Sequence, residues 1–164
     1  MLFVGTYEHS IDAKHRLAIP SDIREMLVST KRAAALYAVI LEGPTLCLYT
    51  QEDFEKRSIQ LDESQRPAQE VLLYEQMFYS LAQRLELDKQ GRVRLPERLM
   101  NLANLQRDVV IIGVKDHLQV HDRQRWQAQM DQMLSERPDL LMNPRLVMQP
   151  SKPPQGGSDG SNNG

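Results

Sequence analysis

The sequence predicts an α+β fold made of two similar halves, because two blocks of sequence occur twice in the same order along its 164 residues. Residues 12–20 align with residues 88–96 at an offset of 76, and the aspartate, an arginine and the proline are identical. Residues 39–49 align with residues 111–121 at an offset of 72. Both pairs of blocks combine strand-like alternation with an amphipathic stretch, so we interpret the chain as a duplicated unit.

Each half is expected to begin with a strand, a tight turn and a second short strand. Apolar and polar residues alternate over residues 3–11 and 81–87, as they do in half-buried strands. A polar interval of four residues follows each strand and has the composition of a hairpin turn. Gly91 supplies the positive φ that such a turn often needs, and the equivalent residue in the first half is His15.

A helix is expected after each short strand. Ser21 follows Pro20 and is placed to act as the N-cap of the first helix, and residues 97–105 carry leucines at helical spacing. A second hairpin then completes each half, with strands over residues 37–41 and 46–49 in the first and over residues 109–114 and 118–121 in the second.

Further helices are expected after the second hairpins and between the halves. One begins near Gln51 and another near Asp122, and the latter places Trp126, Met130, Met133 and Leu134 on one face before Pro138. Residues 67–78 form a helix whose inward residues are Val71, Tyr74 and Phe78. We therefore divide the chain into a first half (1–60), a connecting helix (61–78), a second half (79–142) and a disordered tail (143–164), whose end is rich in Gly, Pro and Ser.

Composition narrows the class of protein. The chain is 41% hydrophobic and 26% charged, as in ordinary globular proteins, and its net charge of −2 excludes a uniformly basic nucleic-acid binder. Local basic surfaces remain compatible with that charge. The longest apolar run has six residues, over 109–114, too few for a membrane helix. The single cysteine, Cys47, cannot form an internal disulfide, and we expect a cytoplasmic protein with no membrane partner.

The repeated Asp-x-x-x-Arg turn is open to two interpretations. In the first, the aspartate accepts the backbone N–H bonds that close the turn, and the arginine pairs with a carboxylate across the hairpin. In the second, the turn projects Arg16 and Arg92 outward, because a guanidinium fork suits phosphate oxygens and the guanine edge. Both can hold together, with the aspartate fixing the loop and the arginine reading DNA.

The segment Gly5-Thr-Tyr-Glu-His-Ser-Ile-Asp-Ala-Lys-His-Arg-Leu-Ala-Ile-Pro20, with Asp-Lys-Gln-Gly-Arg-Val-Arg-Leu-Pro96, resembles the MraZ family. These are bacterial transcriptional regulators of the division and cell-wall gene cluster, and the similarity covers residues 1–141. The resemblance implies tandem AbrB-like halves that form a swapped-hairpin β-barrel with short flanking helices. It also implies a ring-like, nucleoid-associated homo-oligomer that binds double-stranded DNA at short direct repeats. Repression of these genes is the expected outcome. The residues alone do not distinguish repression from activation and do not give the number of protomers.

The resemblance also implies which residues act. The expected DNA-binding residues are Lys14, His15, Arg16, Lys89, Arg92 and Arg94. The expected loop supports are Asp12, Asp88 and Gly91. His15 departs from the family, which usually has glycine there, so the two loops are not expected to be fully equivalent. No catalytic residue, metal, cofactor or small-molecule substrate is expected.

Two other functions are alternatives to DNA binding. An enzyme is disfavoured because His117 and His121 would lie about 13 Å apart on one strand, too far to share a metal. Cys47 lies in an apolar strand and is expected in the core, and the chain has no glycine-rich phosphate loop. The other rival is an oligomeric adaptor that does not bind DNA, or an antitoxin-like protein that binds a partner through its C-terminal tail.

Overall fold

The computed structural model describes residues 1–29, 35–62, 67–143 and 145–148. The chain divides into two compact units, Met1–Gln127 and Ala128–Gly164. The strands are β1 (Thr6–Ser10), β2 (Arg16–Ala18), β3 (Ala35–Leu41), β4 (Thr45–Tyr49), β5 (Gln83–Glu86), β6 (Arg92–Arg94), β7 (Asp108–Val114) and β8 (His117–Asp122). The helices are α1 (Ser21–Ser29), α2 (Gln51–Asp62), α3 (Ala68–Leu81), α4 (Glu97–Leu102), α5 (Arg123–Glu136), α6 (Pro138–Met142) and α7 (Arg145–Met148).

The strands form two antiparallel sheets, and the predicted α+β class is confirmed. A six-stranded sheet has the order β1-β7-β8-β4-β3-β5, and β2 and β6 form a separate two-stranded sheet. Strands β1 and β5 are therefore the edges of the larger sheet. None of the helices in the described part of the chain has the length and apolarity needed to cross a bilayer.

The two predicted second hairpins are confirmed, but their turns differ in length. Three residues separate the last paired residues, Leu41 and Thr45, of β3 and β4. Only two residues separate Val114 from His117 in β7 and β8. Strand β7 therefore corresponds to β3 at an offset of 73, from residues 35–41 to 108–114, whereas β8 corresponds to β4 at 72. The uniform offset of 72 predicted for the whole block is wrong by one residue in its first strand.

The first predicted hairpin of each half is wrong in its pairing. The turns are present, but β1 pairs with β7, β2 with β6, and β5 with β3, so each strand that flanks a turn pairs with a strand distant in sequence. The physical reason is burial. Pairing β2 with β6 brings the equivalent residues Leu17 and Val93 opposite each other, and both are fully buried in the core.

The core draws equivalent residues from both halves. At the 76-residue offset, Ile19 corresponds to Leu95 and Ile23 to Leu99, and all four lie in one apolar cluster with at most 1% of their surface exposed. Cys47 is buried in β4, as predicted. The matched burial supports the interpretation of the chain as a duplication.

Two helical predictions need correction. Ser21 is the first residue of α1 and its hydroxyl donates to Asp22, so it is not the N-cap. The backbone N–H of Arg24 donates instead to the Pro20 carbonyl, which places Pro20 before the helix. Helix α4 ends at Leu102, where the sequence predicted residue 105, because the chain turns at Asn104 with a φ of +49°.

The apolar faces of α3 and α5 are less buried than predicted. Phe78 is buried and Val71 half-buried, but Tyr74 stacks on Phe78 from an exposed position, with ring centroids 5.6 Å apart. In α5, which ends before Pro138 as predicted, Met133 is exposed. The last residues of the predicted tail, 149–164, lie outside the described residues.

Candidate nucleic-acid interface

Strands β2 and β6 form a short two-stranded ribbon whose outer face is rich in arginine. The paired residues are Arg16 with Arg94, Leu17 with Val93, and Ala18 with Arg92. Because successive side chains of a strand point to opposite faces, burial of Leu17 and Val93 leaves the other four side chains on the outer face. Arg16 and Arg92 are diagonal neighbours on this face, where Cα atoms lie about 7–8 Å apart.

The first Asp-x-x-x-Arg loop, residues 12–16, is closed by its own aspartate. One carboxylate oxygen of Asp12, Oδ1, accepts the backbone N–H groups of Lys14 and Arg16, each at 2.9 Å. The other oxygen, Oδ2, accepts Nε of Arg16 at 2.7 Å. Backbone bonds from Asp12 to the Arg16 carbonyl and from His15 to the Asp12 carbonyl complete the turn. Local hydrogen bonds therefore close the loop.

The second loop, residues 88–92, repeats this geometry bond for bond. Asp88 Oδ1 accepts the backbone N–H groups of Gln90 and Arg92 at 2.8 and 3.0 Å. Asp88 Oδ2 accepts Nε of Arg92 at 2.8 Å. His15 in the first loop has a φ of +60° and Gly91 in the second a φ of +74°, so histidine adopts the left-handed geometry that glycine takes in the other copy.

Both aspartates are held in the charged form. Hydrogen bonding from the Arg16 backbone is the main cause that lowers the pKa of Asp12 to about 2. The backbone N–H of Arg92 lowers the pKa of Asp88 in the same way. The geometry agrees with the interpretation in which the aspartate closes the turn. It differs from that interpretation in one respect, because each arginine pairs with the aspartate of its own loop rather than with a carboxylate across a hairpin.

The arginines keep most of their donors for a ligand. Each uses Nε for its aspartate, and among the described residues no partner is found for Nη1 or Nη2 of Arg16 or Arg92. A guanidinium carries four N–H bonds on these two nitrogens. About a third of the Arg16 side chain and a quarter of the Arg92 side chain are exposed, so both forks are anchored at the base and open at the tip.

The two loops lie at opposite ends of the ribbon. The backbone N–H of Leu95 donates to the His15 carbonyl at one end, and that of Ile19 donates to the Gly91 carbonyl at the other. The structure thus brings the predicted DNA-binding residues onto one ribbon and its two ends, with Lys14 and Lys89 exposed in the loops.

Charge on this surface is opposite in sign to that of the whole chain. Residues 12–18 and 88–94 contain five basic and two acidic side chains, which gives a net charge of +3 before histidine is counted. The whole chain has a net charge of −2. Since binding to a polyanion depends on where charges lie, the ribbon is a local basic surface on an acidic protein.

The surroundings of the two loops differ. Beside the first loop lies a cleft of about 600 Å³, whose lining includes His15, Met100 and Leu105. Over the second loop lies Arg24 of α1, which the sequence did not identify as a site residue. The sequence carries no local signal for this contact, because Gln90 lies 66 positions from Arg24. The 76-residue offset pairs Arg24 with Met100 and Gly91 with His15.

The groups weighed for catalysis are engaged elsewhere. His117 and His121 both lie on β8, where Asp116 bonds the first and Gln119 bonds both. Among the described residues no group of three His, Cys, Asp or Glu side chains is arranged to hold a metal ion. Burial raises the pKa of the Cys47 thiol to about 12, so it is protonated at neutral pH.

Comparison with known proteins gives a consistent result. Residues 78–139 match the family model for MraZ protein, whose description includes the term antitoxin-like. The chain is 33% identical over 144 residues to the transcriptional regulator MraZ of Ligilactobacillus salivarius, covering 87% of this chain and 96% of the relative. It is 36% identical over 140 residues to the protein of the same name from Limosilactobacillus fermentum, covering 82% and 91%. It is 33% identical over 129 residues to that of Acetivibrio thermocellus, covering 77% and 85%.

Proposed function

This chain belongs to the MraZ family, and we propose that it is a transcriptional regulator that binds double-stranded DNA through the β2–β6 ribbon and its two Asp-x-x-x-Arg loops. The observation that carries the proposal is the pair of arginine forks, each fixed at Nε by its own aspartate and open at both Nη atoms. Groups prepared in this way lose little freedom when they bind planar or tetrahedral oxygen acceptors.

The two-stranded form of the ribbon supports binding in the major groove. That groove is about 12 Å wide and admits a two-stranded β-ribbon. Arg16 and Arg92 lie diagonally on the outer face, and their forks match guanine O6 and N7 as well as phosphate oxygens. Lys14 and Lys89 in the loops and Arg94 on β6 supply the surrounding positive charge for the phosphate backbone.

One protomer offers few phosphate contacts, so its affinity alone is modest and sensitive to salt. In the proposed assembly, the two halves form a swapped-hairpin barrel, and several protomers join in a ring-like homo-oligomer that engages short direct repeats. Later contacts then become intramolecular, which raises avidity by about 10²–10⁴. Exposed apolar residues of α3 (Leu72, Leu73 and Met77) support association of protomers. We propose that occupancy of repeats upstream of the division and cell-wall genes represses them.

The test is fluorescence anisotropy with a labelled duplex that carries the DNA upstream of the protein's own gene, compared with a shuffled duplex across a salt series. We expect tight, salt-dependent binding that is lost on shuffling and in the Arg16→Ala/Arg92→Ala variant. Arg137→Gln is the control variant, because it removes a positive charge that is paired with Asp139 outside the unit that carries the ribbon.

Circular dichroism and gel filtration separate loss of contact from loss of fold. The double variant must keep the wild-type melt and oligomeric state while its binding to the operator is lost. Equal, weak binding of the wild type to both duplexes contradicts the proposal and favours an oligomeric adaptor. Retained operator binding by the double variant contradicts the assignment to the ribbon.

A further inference from the structure

We propose that Arg24 is a further DNA-contacting residue, which supplies a phosphate contact at the second loop. This inference rests on the proposed function, because it adds a residue to the same surface. It is carried by the way Arg24 packs on the loop and by the charge that its neighbours leave uncompensated.

The fold brings Arg24 to the loop from a distant part of the sequence. Helix α1 begins three residues after β2, and the end of β2 adjoins the second loop, since the Ile19 backbone N–H donates to the Gly91 carbonyl. Arg24 Nη1 then donates to the carbonyl of Gln90 at 3.4 Å, across 66 residues of sequence. The guanidinium therefore lies at the proposed DNA-binding surface rather than on the far side of α1.

Arg24 lies directly against the backbone of the loop. A Cβ atom built on Gly91 would lie 2.2 Å from Cδ and 2.5 Å from Nη1 of Arg24, distances at which one of the two groups must move. The glycine thus has two roles. It adopts the φ of +74° that the turn requires, and it leaves the space that the Arg24 side chain occupies.

The guanidinium of Arg24 is without a compensating carboxylate in the described part of the chain. Within the described residues it donates to a neutral carbonyl, and its buried Nε has no hydrogen-bond acceptor there. The loop beneath it carries Lys89 and Arg92, and the Asp88 carboxylate is already bonded to Arg92 and two backbone N–H groups. Three basic side chains thus lie around one carboxylate, and this excess of positive charge favours the binding of an anion. A DNA phosphate has the charge and the acceptor oxygens that this arrangement needs.

The two ends of the ribbon obtain their second arginine from different places. At the first loop, Arg94 lies opposite Arg16. At the second loop, Ala18 lies opposite Arg92, and Arg24 provides the additional guanidinium. The residue equivalent to Arg24 is Met100 of α4, which lines the cleft beside His15 of the first loop and has no charge. Arg24 therefore provides at the second loop the positive charge that Arg94 of the ribbon provides at the first loop.

The experiment measures operator affinity and its salt dependence for Arg24→Met, which installs the residue found at the equivalent position. One phosphate contact contributes a slope of about 0.9 in log affinity against log salt. The variant should therefore bind about eightfold more weakly at about 0.1 M salt for each engaged protomer, with a slope smaller by about 0.9. Arg24→Lys, which keeps the charge, should retain most of the slope, and Arg137→Gln should retain all of it.

A second measurement identifies the contact directly. Methylphosphonate substitution at single phosphates of the operator neutralises one acceptor at a time. We expect one position where neutralisation weakens wild-type binding severalfold but leaves Arg24→Met binding unchanged. This comparison is valid for any variant that is fully folded at the assay temperature and keeps the wild-type oligomeric state, and Arg24→Gln serves if Arg24→Met does not.

The outcomes separate the two proposals. If the wild type binds the operator and Arg92→Ala abolishes binding, but Arg24→Met keeps the wild-type affinity and slope, the role of Arg24 is wrong and the proposed function stands. The role of Arg24 is also wrong if every methylphosphonate substitution weakens binding of the wild type and of Arg24→Met by the same factor. If the wild type does not distinguish operator from shuffled DNA, the proposed function itself fails, and the role of Arg24 fails with it.

Discussion

The packing of Arg24 on Gly91 makes a quantitative prediction about stability that does not depend on DNA. The perturbation is Gly91→Ala, alone and combined with Arg24→Met. An alanine at position 91 must adopt a φ near +74° and must also displace Arg24, whose Cδ lies 2.2 Å from the position of the new methyl group. The two single changes therefore act on the same contact, and their effects on the free energy of unfolding should not add.

The magnitude follows from two contributions. Left-handed geometry costs a residue with a Cβ atom about 1–2 kcal/mol. Displacing Arg24 removes its packing and its bond to the Gln90 carbonyl, a further loss of about 1 kcal/mol. We expect Gly91→Ala to destabilise the protein by about 2–3 kcal/mol and Arg24→Met by about 1 kcal/mol. The double variant should lose only about 2–3 kcal/mol, because Arg24 can be lost only once.

The assay is a double-mutant cycle by urea unfolding and thermal melting at equal protein concentration. Each kcal/mol corresponds to about 2–4 °C in Tm for a domain of 150 residues or more. The expected coupling of about 1 kcal/mol exceeds the 0.3–0.5 kcal/mol within which independent sites usually add. Additive losses in the cycle would show that Arg24 does not rest on Gly91, and would remove the structural basis for the role proposed for Arg24.

Three further predictions concern titration and reactivity. The pKa of Asp12 is about 2, below its ordinary 3.8, so the hydrogen bonds to its carboxylate add stability above pH 3.8 that is lost as the pH falls toward 2. The Asp12→Asn variant should lack this acid transition in a pH series of melts. Burial, followed by the charge of Arg125, lowers the pKa of His121 to about 4. Between pH 6.5 and 4 the unfolded chain therefore binds a proton that the folded chain does not, and the free energy of unfolding should decrease as the pH is lowered through that range. His121→Phe should remove this part of the dependence of stability on pH. Cys47, buried with a thiol pKa of about 12, should resist iodoacetamide at pH 8 in the native protein and react in urea, and modification at equal rates in both would contradict its burial.

Local sequence signals predicted the local features of the fold. The β3–β4 and β7–β8 hairpins follow from apolar strands joined by short turns. The two loops follow from Asp-x-x-x-Arg, since all of the side-chain bonds that close each loop span four residues or fewer. His15 adopts the left-handed geometry that Gly91 has at the equivalent position of the second loop. In these cases the interacting groups are close in sequence, so the pattern contains the information.

Features that depend on distant residues were predicted incorrectly or were missed. The β1–β2 hairpin was expected because a turn joins the strands, yet burial of Leu17 against Val93 pairs β2 with β6 instead. Alternation shows that a strand exists but not which of several similar strands it pairs with. Arg24 was missed because the residues it contacts are 66 positions away, and only the folded arrangement of α1 relative to the second loop brings them together.

Under the proposed function, the unequal ends of the ribbon would give the protein a direction on DNA. A ribbon with two identical ends looks the same after half a turn, and such a reader would match a palindromic site and bind it in either orientation. Here one end presents Arg94 with His15, and the other presents Gly91 beneath Arg24. A duplicated chain that has diverged in this way distinguishes the two strands of a site. Protomers bound side by side would then all face the same way, which is the order that direct repeats require.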